Sequence, residues 1–133
     1  MIATPIQIRY SDCDMGGHVH NAVYLNYFEI ARVGFFITGF GRNWDWKADG
    51  LIVKKNVVEY NVPTFIEDEI SVEVNCTHIG NKSFTLSYAV VDSKGILKAR
   101  GESIIVSFDY KTQKTKPVTE RMRALLEAHY AEA

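Results

Sequence analysis

Two carboxylates one residue apart, Asp12 and Asp14, stand ahead of Gly16-Gly17-His18-Val19-His20, and an apolar helical pattern takes over at Asn21. The first N–H groups of a helix have no partner within it and carry partial positive charge. A strand-like approach, a glycine turn and a helix start therefore bring Asp14 and free amides to one spot. That arrangement suits attack on a polarised carbonyl: the carboxylate activates water or attacks directly, and the amides hold the oxygen as it gains charge. Other routes to acyl chemistry lack their residues. No G-x-S-x-G turn offers a nucleophilic serine, and Cys13 has no base beside it, so it reads as a small buried thiol. His18 and His20 invite a metal reading, yet two histidines in a loop lack the further fixed ligands of a zinc site, and neither metal nor other cofactor is expected.

Each of these residues also has a plainer reading. Asp14 could simply hold its own loop by accepting nearby backbone N–H bonds, and Asp12 reads mainly as such an anchor, fixing the loop or its entry strand. Asn21 could cap the helix with its side chain, present a free amide, or do both.

The surrounding elements follow from periodicity. Ile6, Ile8 and Tyr10 alternate within residues 4 to 11, a strand with one buried face that ends at Ser11. Tyr24, Tyr27, Phe28, Ala31 and Phe35 then trace one stripe on a long helix. This aromatic stripe reads mainly as core, with Tyr24 a candidate lining of a substrate channel. Glu29 and Arg32, three apart, are placed to pair with each other or across a protomer contact. Gly39 and Gly41 are expected to end the helix, Trp44 and Trp46 to cover its end, and residues 42 to 50 to form an irregular connection. From Leu51 to Tyr110 the chain reads as strand, broken at Pro63, Gly80-Asn81-Lys82 and Ser93-Lys94-Gly95. Short breaks imply antiparallel neighbours. Pro117 precedes a closing helix with Val118, Met122, Leu125 and Leu126 on one side. The order is strand, long helix, four strands, short helix, an α+β arrangement in which a twisted antiparallel sheet covers the aromatic stripe.

Composition narrows the partners. At 133 residues and 47% hydrophobic content the chain fits one domain spanning 1-133. A formal charge of −1 with scattered basic residues leaves no electrostatic footprint for nucleic acid. No apolar run approaches the roughly 18 residues of a membrane span. Two cysteines without a C-x-x-C unit, and no basic-then-apolar leader, point to a reduced, cytoplasmic protein.

The pattern Y-x-D-x-D-x-x-G-H-V-x-N-x-x-Y-L-x-Y-F-E-x-A-R, running from Tyr10 to Arg32, resembles the signature of the hotdog-fold acyl-CoA thioesterases, the group similar to 4-hydroxybenzoyl-CoA thioesterase. Segments at Lys54 to Pro63, Asp68-Glu69, Ile79 to Phe84 and Ala99-Arg100-Gly101 resemble successive family segments, so the likeness covers most of the chain. It implies a five- or six-stranded antiparallel sheet around one long helix, and a homodimer or homotetramer with the active site at the protomer boundary. It implies hydrolysis of an acyl thioester of CoA or acyl-carrier protein, without metal or other cofactor. On this resemblance Asp14 is the general base or nucleophile and the amide at Asn21 holds the thioester carbonyl. His18 orders the loop, while His20 departs from the family's commoner Asn. Asn56, Val57 and Glu59 supply the opposite pocket wall, with residues 54 to 62 of one chain near Asp14 of its partner. Lys82 and Ser83 approach the CoA nucleotide. Two rival functions share the fold: a hotdog dehydratase or hydratase, and a noncatalytic acyl-thioester-binding dimer.

Overall fold

In the computed structural model, which describes residues 1–132, the chain runs β1 (Ile2–Ile6), a 3₁₀ turn (Tyr10–Asp12), α1 (Val23–Phe40), β2 (Gly50–Tyr60), β3 (Ile70–Ile79), β4 (Ser83–Asp92), β5 (Leu97–Asp109), β6 (Lys114–Thr115) and α2 (Glu120–Ala128). The strands form one antiparallel sheet in the order β1-β3-β4-β5-β2, with β6 a short addition beside β5. α1 touches β3 and both edge strands, β1 and β2, which requires the sheet to curve around it.

The alternation read from the sequence decides what the sheet buries. Val72, Val74 and Cys76 of β3 and Phe84, Leu86, Tyr88 and Val90 of β4 face inward against Tyr24, Tyr27, Phe28, Ala31, Phe35 and Phe36 of α1. Phe28 lies flat on Tyr88 with ring centroids 4.4 Å apart. That contact depends on a missing side chain in β5: a Cβ on Gly101 would stand 2.6 Å from the Phe28 ring and 2.5 Å from the Val57 carbonyl oxygen. Glycine at this position lets the helix sit down on the sheet.

Several boundaries differ from the sequence reading. The first strand occupies Ile2–Ile6 rather than residues 4 to 11, because pairing with β3 stops at Ile6 and Asp12 then folds the chain back: its carboxylate accepts the Arg9 N–H at 2.9 Å and closes the 3₁₀ turn. Tyr10 is consequently outside the core, 88% exposed. Gly39 does not end α1. It lies within the last turn, where a Cβ would collide with Leu125 of α2 at 2.5 Å, and the helix closes at Gly41, whose φ of +78° suits glycine. Trp44 covers that end as expected, stacked on Phe40 at 4.2 Å. Glu29 and Arg32 do not pair with each other; Arg32 instead donates to the Tyr88 hydroxyl at 3.2 Å. No helix among the described residues is long and apolar enough to cross a membrane.

Candidate active site

The segment from Asp12 to His20 is a small hairpin. The His20 N–H donates to the Asp12 carbonyl at 2.9 Å, Cys13 bridges Val19, and the Asp14 N–H donates to the His18 carbonyl at 2.8 Å. Gly17, at φ +81°, supplies the left-handed residue that the reversal needs. Asp14 sits at the tip and is exposed. Its Oδ1 accepts two N–H bonds, from Gly16 at 2.9 Å and His18 at 3.1 Å, while Oδ2 accepts none from the described residues. The two readings of Asp14 are thus compatible, since one oxygen holds the loop and the other remains free. The His18 amide above all, then the Gly16 amide and the charges of His18 and His20, hold its carboxyl below the usual range, against a smaller opposing effect of desolvation. The group is therefore ionised throughout the neutral range.

Asp12 is the anchor. Besides Arg9 it accepts the Tyr27 hydroxyl at 2.8 Å, tying the hairpin to the middle of α1. Burial, and then this bond, push the Tyr27 phenol far above its ordinary value, so it stays a donor. Cys13 is half-buried rather than buried, and desolvation followed by the neighbouring Asp12, Asp14 and Glu67 raises its thiol. A thiol kept protonated by desolvation and three nearby carboxylates is a poor nucleophile.

α1 begins at Val23, with Ala22 in the capping position and no side-chain cap. Asn21 is therefore not an N-cap: it lies one residue too early, and its side chain makes no bond to the helix. What it offers is backbone. The Val23 amide is used by the His20 carbonyl at 3.0 Å, but the N–H groups of Asn21 and Ala22 have no acceptor among the described residues.

Asp14, His18, Asn21 and Tyr24 meet in one cleft of about 300 Å³, closed on the far side by Tyr60, Asn61, Val62 and Pro63 of the same chain. His18 packs its ring edge-on to Phe65 at 4.8 Å, which orders the loop. Tyr24 is 3% exposed and donates to the Thr64 hydroxyl at 2.9 Å, so its ring rather than its hydroxyl faces the cleft. The wall at Asn61 to Phe65 is fastened from behind by a lysine that the sequence reading passed over. Lys98 is 5% exposed; its Nζ lies 3.2 Å from Asp68 and 3.7 Å from Asp92 and donates to the Pro63 carbonyl at 3.1 Å. Asp68 in turn accepts the Phe65 N–H at 2.8 Å.

The remaining expected residues do not line this cleft within the protomer, although Glu59 accepts the side-chain amide of Asn61 in its wall at 3.5 Å. Asn56 and Val57 lie on β2, where Asn56 accepts the Ser103 hydroxyl at 2.6 Å, and Glu59 pairs loosely with Arg100 at 4.0 Å. Lys82 lies in the β3–β4 turn and Ser83 opens β4. That turn neighbours α2, whose Arg123 donates to Gly80, while Arg121 donates to Phe40 at the C-terminal end of α1. Asp14 is at the other end of that helix. Within the protomer, Tyr60 to Pro63 of Asp14's own chain form the facing wall of the cleft.

One long helix held in a curved antiparallel sheet, with a carboxylate at the helix start, is the hotdog arrangement. The Thioesterase-like superfamily model matches residues 8–126, and the chain belongs to that family. It is 26% identical over 135 residues to the acyl-CoA thioester hydrolase YbgC of Escherichia coli O6:H1, covering 96% of this chain and 92% of that protein. It is 27% identical over 126 residues to the long-chain acyl-CoA thioesterase FadM of Escherichia coli K12, covering 93% and 96%. Among solved structures, a thioesterase of Thermus thermophilus complexed with coenzyme A and Zn superposes with a TM-score of 0.81 at 28% identity, over 95% of this chain and 92% of that one.

Proposed function

We propose that the protein hydrolyses acyl-CoA thioesters, with Asp14 as general base or nucleophile and the free amides at Asn21 and Ala22 as oxyanion donors. The observation that carries this reading is the pairing of an ionised carboxylate, one oxygen fixed and one free, with unbonded helix-start amides: Asp14 and Asn21 border one cleft, and Asp14, Asn21 and Ala22 a second. With Asp14 as base, its free oxygen takes a proton from water as the water oxygen bonds to the thioester carbon. The carbonyl oxygen becomes an oxyanion held by backbone N–H groups, and collapse breaks the C–S bond and releases the thiolate. A thiol of pKa near ~8.5 leaves without a strong acid beside it.

The same proposal has two protomers completing one site. The edge strand β2 has an unpaired side, and it presents Ile52, Val57 and Tyr60 to solvent beside exposed Leu25, Ile30 and Val33 of α1. An apolar face with an open backbone edge suits a second copy, forming a homodimer or homotetramer. In that assembly Asn56, Val57 and Glu59 line the facing pocket wall, and Lys82 and Ser83 meet the CoA phosphates of a partner's site. His18 holds the loop, and Tyr24 lines the acyl side.

Asp14→Asn is the decisive variant, because Asn keeps the oxygen that Gly16 and His18 use and so preserves the loop. Thiol release from a panel of acyl-CoA substrates should fall by about 1,000-fold or more with the melting temperature unchanged. Near wild-type turnover in a folded variant would refute the role of Asp14. Reversible hydration of enoyl thioesters without thiol release would instead favour the dehydratase reading. Tight binding of a nonhydrolysable analogue with no turnover would favour a noncatalytic binder.

A further inference from the structure

We infer that Tyr60 is a positioning residue for the oxyanion donors, a role that rests on the hydrolase reading above. Tyr60 is the last residue of the edge strand β2, and its hydroxyl donates to the Asn21 carbonyl oxygen at 2.9 Å. Its ring meets Tyr24 edge-on, with centroids 5.3 Å apart and planes at 71°. It also lines the cleft that Asp14 and Asn21 border.

The consequence follows from peptide geometry. Asn21 and Ala22 precede α1, have no side-chain cap and donate no backbone hydrogen bond to the described residues; the Val23 N–H closes the turn around them on the His20 carbonyl at 3.0 Å and the Leu25 N–H reaches the Ala22 carbonyl at 3.3 Å, which leaves the Asn21 carbonyl to Tyr60. The Asn21 carbonyl and the Ala22 N–H belong to one planar trans unit and point in opposite directions. Drawing that carbonyl toward Tyr60 fixes the plane and turns the Ala22 N–H away from the tyrosine, to the side where Ala22 lines a second cleft with Asp14. It also restrains the backbone at Asn21, whose own N–H is the other free donor. A donor to the carbonyl additionally polarises the unit and strengthens its N–H as a donor. Amides that stabilise an oxyanion are effective when they are oriented before charge develops. Tyr60 supplies that orientation from a strand on the far side of the cleft.

Tyr60→Phe isolates the hydroxyl, since Phe retains the ring and its contact with Tyr24. Against the acyl-CoA substrate that the wild type hydrolyses best, kcat should fall about 5- to 10-fold, the effect of one hydrogen bond, with KM within about twofold. The Ala22 backbone amide resonance should shift or broaden in the ¹⁵N–¹H spectrum of the variant, a readout independent of turnover. Restoring a hydroxyl donor with 3-fluorotyrosine should recover kcat and the Ala22 resonance together. Wild-type kcat, a rise in KM alone, or an unmoved Ala22 resonance would each overturn the inference. Asp14→Asn separates the two levels: its inactivity beside a fully active Tyr60→Phe removes only the tyrosine's role, whereas turnover in Asp14→Asn removes the hydrolase reading itself.

Discussion

Tyr27→Phe tests whether the helix holds the reactive loop. The hydroxyl removed is the one that Asp12 accepts at 2.8 Å, and the ring it leaves is 2% exposed and already surrounded by core, so the substitution opens no cavity. A hydrogen bond to a charged acceptor contributes about 1.5–3 kcal/mol to stability. Asp12 is only half-buried and keeps the Arg9 amide at 2.9 Å, and water can replace the lost donor, so the lower end applies, about 1.5 kcal/mol. For a chain of this size that corresponds to a fall in melting temperature of roughly 5 °C. The effect on function should exceed what the stability change explains. The Asp12 backbone carbonyl also accepts the His20 N–H at 2.9 Å, so this residue sets the base of the hairpin whose tip carries Asp14. At a temperature well below the transition, kcat/KM should fall severalfold, by about 3- to 10-fold, since loss of near-attack geometry costs rate without unfolding. Differential scanning calorimetry and a thiol-release assay measure the two quantities on the same preparation. An unchanged melting temperature and unchanged kcat/KM would refute the argument that this bond positions the loop.

Lys98→Met should loosen the cleft wall, because two carboxylates lose their shared cation and the Pro63 carbonyl loses its donor; the melting temperature should drop by about 5 °C or more and KM should rise, as read by calorimetry and initial rates. The Asp14 carboxyl is depressed in the folded protein, so its contribution to stability is fully present above the ordinary Asp value and is lost as the pH falls through the lower, folded value. Its ionised form should likewise sustain kcat/KM down to about pH 4, and an acid limb between about pH 5 and 7 that disappears in Asp14→Asn would contradict the depressed value. Mixed oligomers of Asp14→Asn with Lys82→Ala, formed by co-expression and isolated with two tags, should recover activity above either parent, because one of two shared sites then regains both residues; no recovery would place both residues in one protomer's site.

The long helix was legible because five aromatic and small residues at helical spacing have one physical use, and all five are buried. The carboxylate loop was legible for a related reason, as glycines and Asp in a short reversal have few other uses. Its ends were harder to read. Ile8 and Tyr10 continue the alternation of Ile6, but alternation does not reveal where the neighbouring strand stops. Asn21 has the composition of a cap and misses the position by one residue, a difference settled by the turn in which His20 bonds Val23. Lys98 was hidden by parity: Ala99, Gly101, Ser103, Ile105 and Ser107 mark the inward face of β5, which puts Lys98 on the outer one. There it is buried by the loop from Asn61 to Asp68, a partner far away in sequence. Tyr60 escaped notice similarly, since its role lies in a bond to a backbone oxygen and no residue type at position 21 announces that bond.

The placement of the two halves of the expected site is itself an argument for assembly. α1 has 18 residues, and at about 1.5 Å of rise each its ends lie roughly 27 Å apart. Asp14 adjoins the first end, whereas the turn bearing Lys82 and Ser83 belongs with α2 and the second. A thioester carbon at Asp14 and a nucleotide phosphate at Lys82 of the same chain would have to lie at opposite ends of the molecule, with the closed aromatic core of α1 between them. Two chains joined along β2 in opposite directions remove that difficulty, because the far end of one helix is carried toward the near end of the other. The exposed Asp14 and the open cleft beside it then have a physical reason: the protomer leaves uncovered the side of the carboxylate that a second chain would close.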